Sequence, residues 1–154
     1  MRFKKILFCT DFSENSDHAF SYTFNLTRAY DATLLILHVI LEPVCYYWST
    51  PKGGRELIAK QTERVEQEIN THYLQKLGEF KNYEIFARET GEGGAFYEII
   101  QAAREESADL IVMGTHGRTG LDHLILGSTA ENVVRKLPCP VLTVRLPEKK
   151  FIMP

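Results

Sequence analysis

Two short stretches hold residue types that could do chemistry. One is "GTHGRTGLDHLILGST", residues 114 to 129, with glycines at 114, 117 and 127 followed by Ser128 and Thr129. The other is "CTDFSENS", residues 9 to 16, in which Asp11 and Ser13 follow an apolar run. Backbone N–H groups at a helix start, left bare by glycine and aided by the helix dipole, bind anions such as phosphate. A carboxylate at a strand end suits a ribose hydroxyl or a magnesium-bound phosphate. Each stretch also has a plain structural reading. "STAE", residues 128 to 131, fits a capping box, with Ser128 at the cap and Glu131 three residues on. Gly114 and Gly117 fit ordinary turns, and Asp11 or Ser13 fits a cap on a first helix. The readings are compatible, because a capped helix start can still present amides to a ligand.

The elements that must position these residues follow from the hydrophobic pattern. "KKILFC" (4–9), "TLLILHVI" (33–40), "YEIFARE" (83–89), "DLIVMG" (109–114) and "PVLTVR" (140–145) read as strands. The run at 33–40 is too short and too evenly apolar for a surface helix and suits a strand buried on both faces. Between the strands lie helical patterns at 13–30, roughly 55–80, 95–107 and 129–137. In the first of these, Ala19, Tyr22, Leu26 and Ala29 share a helical stripe. In the second the stripe is Ile58, Val65, Ile69, Tyr73 and Leu77; in the third it is Phe96, Ile99, Ile100 and Ala103. The order β-α-β-α-β-α-β-α-β predicts an α/β domain, a single open doubly wound parallel five-stranded sheet with helices on both faces. Residues 1–146 form the domain and 147–154 a tail. Residues 41–53, with two prolines and three adjacent aromatics, read as a loop.

Composition excludes several function classes. The chain has 154 residues, enough for one domain with a real core, and a net charge of −2. There is no basic excess to track a nucleic-acid backbone. No apolar run approaches the length that spans a bilayer. The N-terminal "MRFKKILFCTDF" starts basic, but only "ILF" follows before polar residues return, so it reads as a first strand of a cytoplasmic protein. Cys9, Cys45 and Cys139 match neither a zinc pattern nor a redox pair. His38, inside a strand, reads as a satisfied core histidine, and His116 as a turn histidine. Arg118 is within the glycine stretch and is placed to reach a phosphate. The chain lacks the lysine-bearing phosphate loop and the kinase signatures.

Glycine, two residues, glycine, nine residues, glycine, then Ser or Thr resembles the signature of the universal stress protein family, in its ATP-binding subgroup. Here it reads Gly114, Gly117, Gly127, Ser128. "ILFCTDFSENS", "HVI", "ADLIVMGTHGRTG" and "LPCPVLTVR" extend the likeness over nearly the whole chain. The resemblance implies the strand order 3-2-1-4-5, which brings Asp11 toward Gly114. It implies adenine near Val39, ribose near Asp11 and Gly114, and phosphates on Gly117, Gly127, Ser128 and Thr129, with Thr10 and Met113 in the pocket wall. Mg2+ or Mn2+ would arrive with the phosphates. Cys9 stands where relatives with the motif often carry proline. The resemblance further implies a regulatory ATP-binding protein with slow hydrolysis or none, acting on an unknown regulatory partner. It also implies a homodimer, which would cover the otherwise exposed edge strand at 140–145.

Overall fold

The computed structural model describes residues 2–41, 53–91, 93–116 and 126–147. Five strands run β1 (Lys5–Thr10), β2 (Thr33–Ile40), β3 (Tyr83–Glu89), β4 (Leu110–Gly114) and β5 (Val141–Val144). They form one sheet in the order β3-β2-β1-β4-β5, and every neighbouring pair is parallel. The expected fold class and strand order are those observed. The chain reverses direction across the sheet between β1 and β4, so the tips of these two adjacent strands open a crevice.

The central strands β1, β2 and β4 are apolar without alternation because both faces of the sheet are covered. Side chains one residue apart point to opposite faces. Ile6, Phe8, Leu34, Ile36 and Val112 pack on one face with Phe20, Ile69 and Tyr73. Leu7, Cys9, Leu35, Leu37, Ile111 and Met113 pack on the other with Ile99, Ala103 and Val133. Helices α1 (Glu14–Tyr30) and α2 (Gly53–Ile69) serve the first face, and α4 (Ala95–Glu105) and α5 (Ser128–Lys136) the second. Each large aliphatic or aromatic side chain buried this way contributes about 1.5–3 kcal/mol.

Two helices differ from expectation. In α1 the buried residues are Ser16, Ala19, Phe20, Thr23 and Thr27, whereas Tyr22 is 47% exposed and Ala29 is exposed. The inward face is therefore rotated from the apolar stripe. Thr23 and Thr27 donate their hydroxyls to the carbonyls of Ala19 and Thr23, at 2.9 and 2.8 Å. A hydroxyl satisfied within its own helix is buried at little cost, so these threonines pack as apolar residues. The expected single helix over 55–80 is α2, a π-helical turn at Asn70–Leu74, and a short α3 (Gln75–Leu77). Val65, Ile69, Tyr73 and Leu77 are nevertheless all buried. Each step of four residues overshoots an α-helical turn by about 40°. The wider π turn takes up that drift and keeps Tyr73 and Leu77 facing the sheet.

Gly114 ends β4 under the start of α1. A Cβ on Gly114 would lie 3.0 Å from the backbone carbonyl carbon of Asn15. The glycine thus lets α1 lie close over β4, a packing role that the turn reading does not contain.

Candidate functional site

Beyond the C-terminal ends of β1, β2 and β4 lies a cleft of about 550 Å³. Among the residues expected at a site, Thr10 and Asp11 line it from the tip of β1, and Val39 from β2. Met113 and Gly114 line it from β4, and Gly127, Ser128 and Thr129 from the start of α5. Four separate stretches of chain are brought to one crevice, three by the strand order and the fourth by the bond from Gly127 to Thr115. Gly117, Arg118 and Cys45 lie outside the described residues, as does most of the 41–53 loop.

The floor at β1 is held by hydrogen bonds inside the protein. Tyr73 donates its phenol proton to the Asp17 carboxylate at 2.7 Å, so the 2.6 Å contact between Thr10 Oγ1 and Tyr73 is donated by Thr10. The Phe12 N–H donates to Thr10 Oγ1 at 3.0 Å, and His38 Nδ1 donates to the Thr10 carbonyl at 2.8 Å. Because a carbonyl only accepts, that contact fixes the proton on Nδ1. His38 is buried and stacks on Phe12, as expected of a satisfied core histidine, although it also lines the cleft. Thr10 is therefore a residue that shapes the floor, with hydroxyl and carbonyl both engaged. Burial, joined by the neighbouring Asp17, pushes the Tyr73 phenol well above its ordinary range and keeps it protonated. Burial likewise, joined by Cys139, pushes the Cys9 thiol far up. Cys9 is then an inert thiol in the cleft wall, not a nucleophile.

Asp11 and α1 form a closed unit. Ser13 is the N-cap, and its hydroxyl oxygen accepts the Ser16 N–H at 3.3 Å. Asp11 Oδ1 accepts both the N–H and the hydroxyl of Ser13, at 3.1 and 2.6 Å. Of the two candidate caps, Ser13 caps and Asp11 braces the cap.

The start of α5 is built differently from the capping-box reading. The N-cap is Gly127, with extended torsions (φ −68°, ψ 152°), and among the described residues no side chain caps the helix. Ser128 already lies inside the helix, one position too late to cap, since a cap needs the extended torsions that Gly127 has. Glu131 pairs with Arg135 at 3.2 Å. Its N–H donates to the Gly127 carbonyl at 2.9 Å, the first turn of the helix. The glycine has its own cause. Its N–H donates to the Thr115 carbonyl at 2.8 Å, and a Cβ on it would stand 2.9 Å from that oxygen. Gly127 is required by the crossing of α5 on the exit of β4, not only by room for a ligand. The result is a helix start whose first amides have no intrahelical acceptor and, among the described residues, no side-chain cap, at the edge of a cleft. Such a start carries partial positive charge and favours an anion.

The far wall was not legible as a site. Gln61, Arg64, Val65 and Glu68 of α2 line the cleft opposite α5. Positions 61, 65 and 68 share one helix face. The available signal is Gln61, a polar residue in line with the apolar stripe of Val65 and Ile69. Arg64 and Glu68 pair at 3.3 Å on the rim, an exposed contact of small energetic weight. Among the described residues, no group of three or more His, Cys, Asp or Glu could hold a metal ion, and no helix is long and apolar enough to cross a membrane.

Known proteins share this fold. The model of the universal stress protein family matches residues 2–145. A universal stress protein of Methanocaldococcus jannaschii, MJ0531, is 36% identical over 149 residues, covering 96% of this chain and 85% of the relative. The solved structure of MJ0577 superposes with a TM-score of 0.82 at 30% identity, covering 97% of this chain and 100% of that one. The universal stress protein of Archaeoglobus fulgidus in complex with dAMP superposes with a TM-score of 0.63 at 19% identity, covering 94% and 99%. That last likeness concerns the fold alone, and the dAMP is a property of that relative. With the family model spanning nearly its whole length and a relative above one third identical, this chain belongs to the universal stress protein family.

Proposed function

We propose that this chain is a nucleotide-binding regulatory protein that takes ATP into the cleft at the tips of β1, β2 and β4. The observation that carries the reading is the bare start of α5 at the rim of that cleft. The phosphates sit on the amides of Ser128 and Thr129, with Gly117 and Arg118 contributing from the glycine stretch. The ribose lies by Asp11 and Gly114, and the base by Val39. A volume of about 550 Å³ is within the range of small-molecule sites. A family member that holds dAMP supports an adenine nucleotide. Mg2+ or Mn2+ comes bound to the phosphates, and Asp11 is a cleft carboxylate within the same site. Hydrolysis is slow, and occupancy biases a surface read by a protein partner.

Calorimetric titration with ATP, AMP, GTP and NAD, with and without magnesium, tests the reading. Saturable ATP binding is expected; heats indistinguishable from dilution for all four would end it. A single-turnover assay separates regulator from enzyme, since turnover of about 1–10³ s⁻¹ would make it an enzyme.

The chain further pairs through β5 with a second copy. β5 is the sheet edge. The carbonyls of Pro140 and Val144 accept from Ile111 and Thr115, so alternate residues face β4 and the backbone groups of Val141 and Thr143 face outward. Thr143→Pro removes an outward donor while leaving the β4 bonds. A dimer that becomes a monomer in analytical ultracentrifugation is expected; an unchanged dimer would place the contact elsewhere. A charge at Val144 is a poorer probe, because that side chain is buried within the monomer.

A further inference from the structure

The far wall of the cleft holds an acceptor without a donor. Gln61 Oε1 is buried and accepts no hydrogen bond from any described residue. A carboxamide oxygen has two lone pairs, and folded proteins rarely bury one unused. Nothing in the packing of α2 explains it: the neighbouring Val65 is an ordinary core residue, and Arg64 is engaged with Glu68. The atom belongs to a side chain that lines the cleft.

Its place in the fold says what would satisfy it. β4, β1 and β2 are successive neighbours in the sheet. Gly127 is bonded to Thr115 at the exit of β4, whereas Gln61 and Val65 belong to α2, which packs on β3 beyond β2, so the two line the cleft from its opposite sides. A nucleotide held by its phosphates at the start of α5 carries its base away from them along the cleft. With the phosphates at α5, the base falls among Val39, Ile40, Val65 and Gln61. These apolar side chains suit a ring, and the carboxamide oxygen suits a ring-borne N–H.

We infer that Gln61 reads the base: its Oε1 accepts a hydrogen bond from the exocyclic amino group at C6 of adenine. The inference rests on the nucleotide reading above and names the residue that recognises the base in it. The ligand completes a hydrogen bond that the described residues leave open.

A cycle of ligand and protein deletions tests this on the full chain. The ligands are ATP and purine riboside 5′-triphosphate, which lacks only the 6-amino group. Wild type is expected to bind ATP about tenfold more tightly, the contribution of one neutral hydrogen bond of ordinary strength. Gln61→Met keeps the length of the side chain and removes the acceptor, and the ratio falls to within about twofold. Gln61→Glu keeps an acceptor oxygen and retains the preference for ATP, although its charge lowers both affinities. Inorganic triphosphate, which has no base, binds wild type and Gln61→Met alike. Without ligand, Gln61→Met melts at or above wild type, because an unsatisfied buried oxygen is gone. A tenfold ratio retained in Gln61→Met would overturn the inference while leaving nucleotide binding intact. Loss of the ratio in Gln61→Glu as well would assign the effect to packing and overturn it too. If wild type binds neither nucleotide, the failure lies with the nucleotide reading, and the base contact falls with it.

Discussion

Helices α1 and α5 start at the tips of adjacent strands, β1 and β4, and border the same crevice. Their first turns are opposites. α1 is sealed by its own chain: Ser13 takes the Ser16 amide, Asp11 braces Ser13, and Glu14 and Asp17 add negative charge to the first turn. α5 begins on Gly127 with no side-chain cap among the described residues. A helix start that supplies its own acceptor and its own acids has no use for an outside anion. One that supplies no cap acquires an acceptor from water or from a ligand. The asymmetry orients the proposed nucleotide, phosphates toward α5 and away from Asp11 and Asp17.

The contrast can be broken most severely at Gly127. Gly127→Val forces side-chain carbon into the Thr115 carbonyl, now 2.9 Å from an ideal Cβ. Overpacking of this kind costs about 1–3 kcal/mol. Chemical denaturation is expected to show that loss together with lost ATP binding. This substitution is therefore no clean test of a phosphate cradle, because the glycine serves the packing as well as the ligand.

Ser128→Asp is cleaner, because its two effects have opposite signs. An acid in the first turn of α5 complements the dipole and adds about 0.3–1 kcal/mol of stability. The same carboxylate competes for the amides and repels phosphate, so ATP affinity falls by at least about tenfold. Thermal melts and titration calorimetry check both. A variant that is more stable and binds ATP normally would erase the functional difference between the two helix starts.

Ser13→Ala makes α1 resemble α5. Loss of the cap costs about 1 kcal/mol. The drop in ATP affinity should be smaller than that of Ser128→Asp, measured in the same titration. Equal losses would mean that both helix starts hold the ligand.

The mildest perturbation concerns the floor between the two starts, and at neutral pH it is silent. The Cys9 thiol ionises far less readily in the folded chain than its ordinary value of 9.0. Above that pH the unfolded chain loses a proton that the folded chain keeps, so stability falls as pH rises. Below pH 9 this contribution is fully present. Denaturation midpoints from pH 7 to 10 should decline above 9 in wild type, and less so in Cys9→Ala. Equal slopes would show Cys9 to be accessible.

Much of this architecture is legible in the sequence, for physical reasons that also explain the failures. β2 and β3 occupy the residues expected, β2 because a strand covered on both faces is a continuous apolar run, and β3 because a partly exposed edge strand alternates polar and apolar residues. The order of strands came from resemblance, since pattern alone does not rank neighbours. The buried face of α1 is misread when hydroxyls are counted as polar, because Thr23 and Thr27 satisfy themselves within the helix. "STAE" has the composition of a capping box, but composition does not reveal which residue has extended torsions. That depended on the contact between Gly127 and Thr115, a tertiary fact. Asp11, Gly114 and Ser128 were nameable as site candidates because they sit at strand tips and a helix start. Gln61 was not, because a single polar residue in an apolar stripe looks like noise until its oxygen is seen to lack a donor.

A crystal structure of the chain with Mg·ATP tests the central claim most directly. The account predicts phosphate oxygens about 2.7–3.2 Å from the amides of Ser128 and Thr129. A cleft without nucleotide, or phosphates seated at the start of α1, would contradict it.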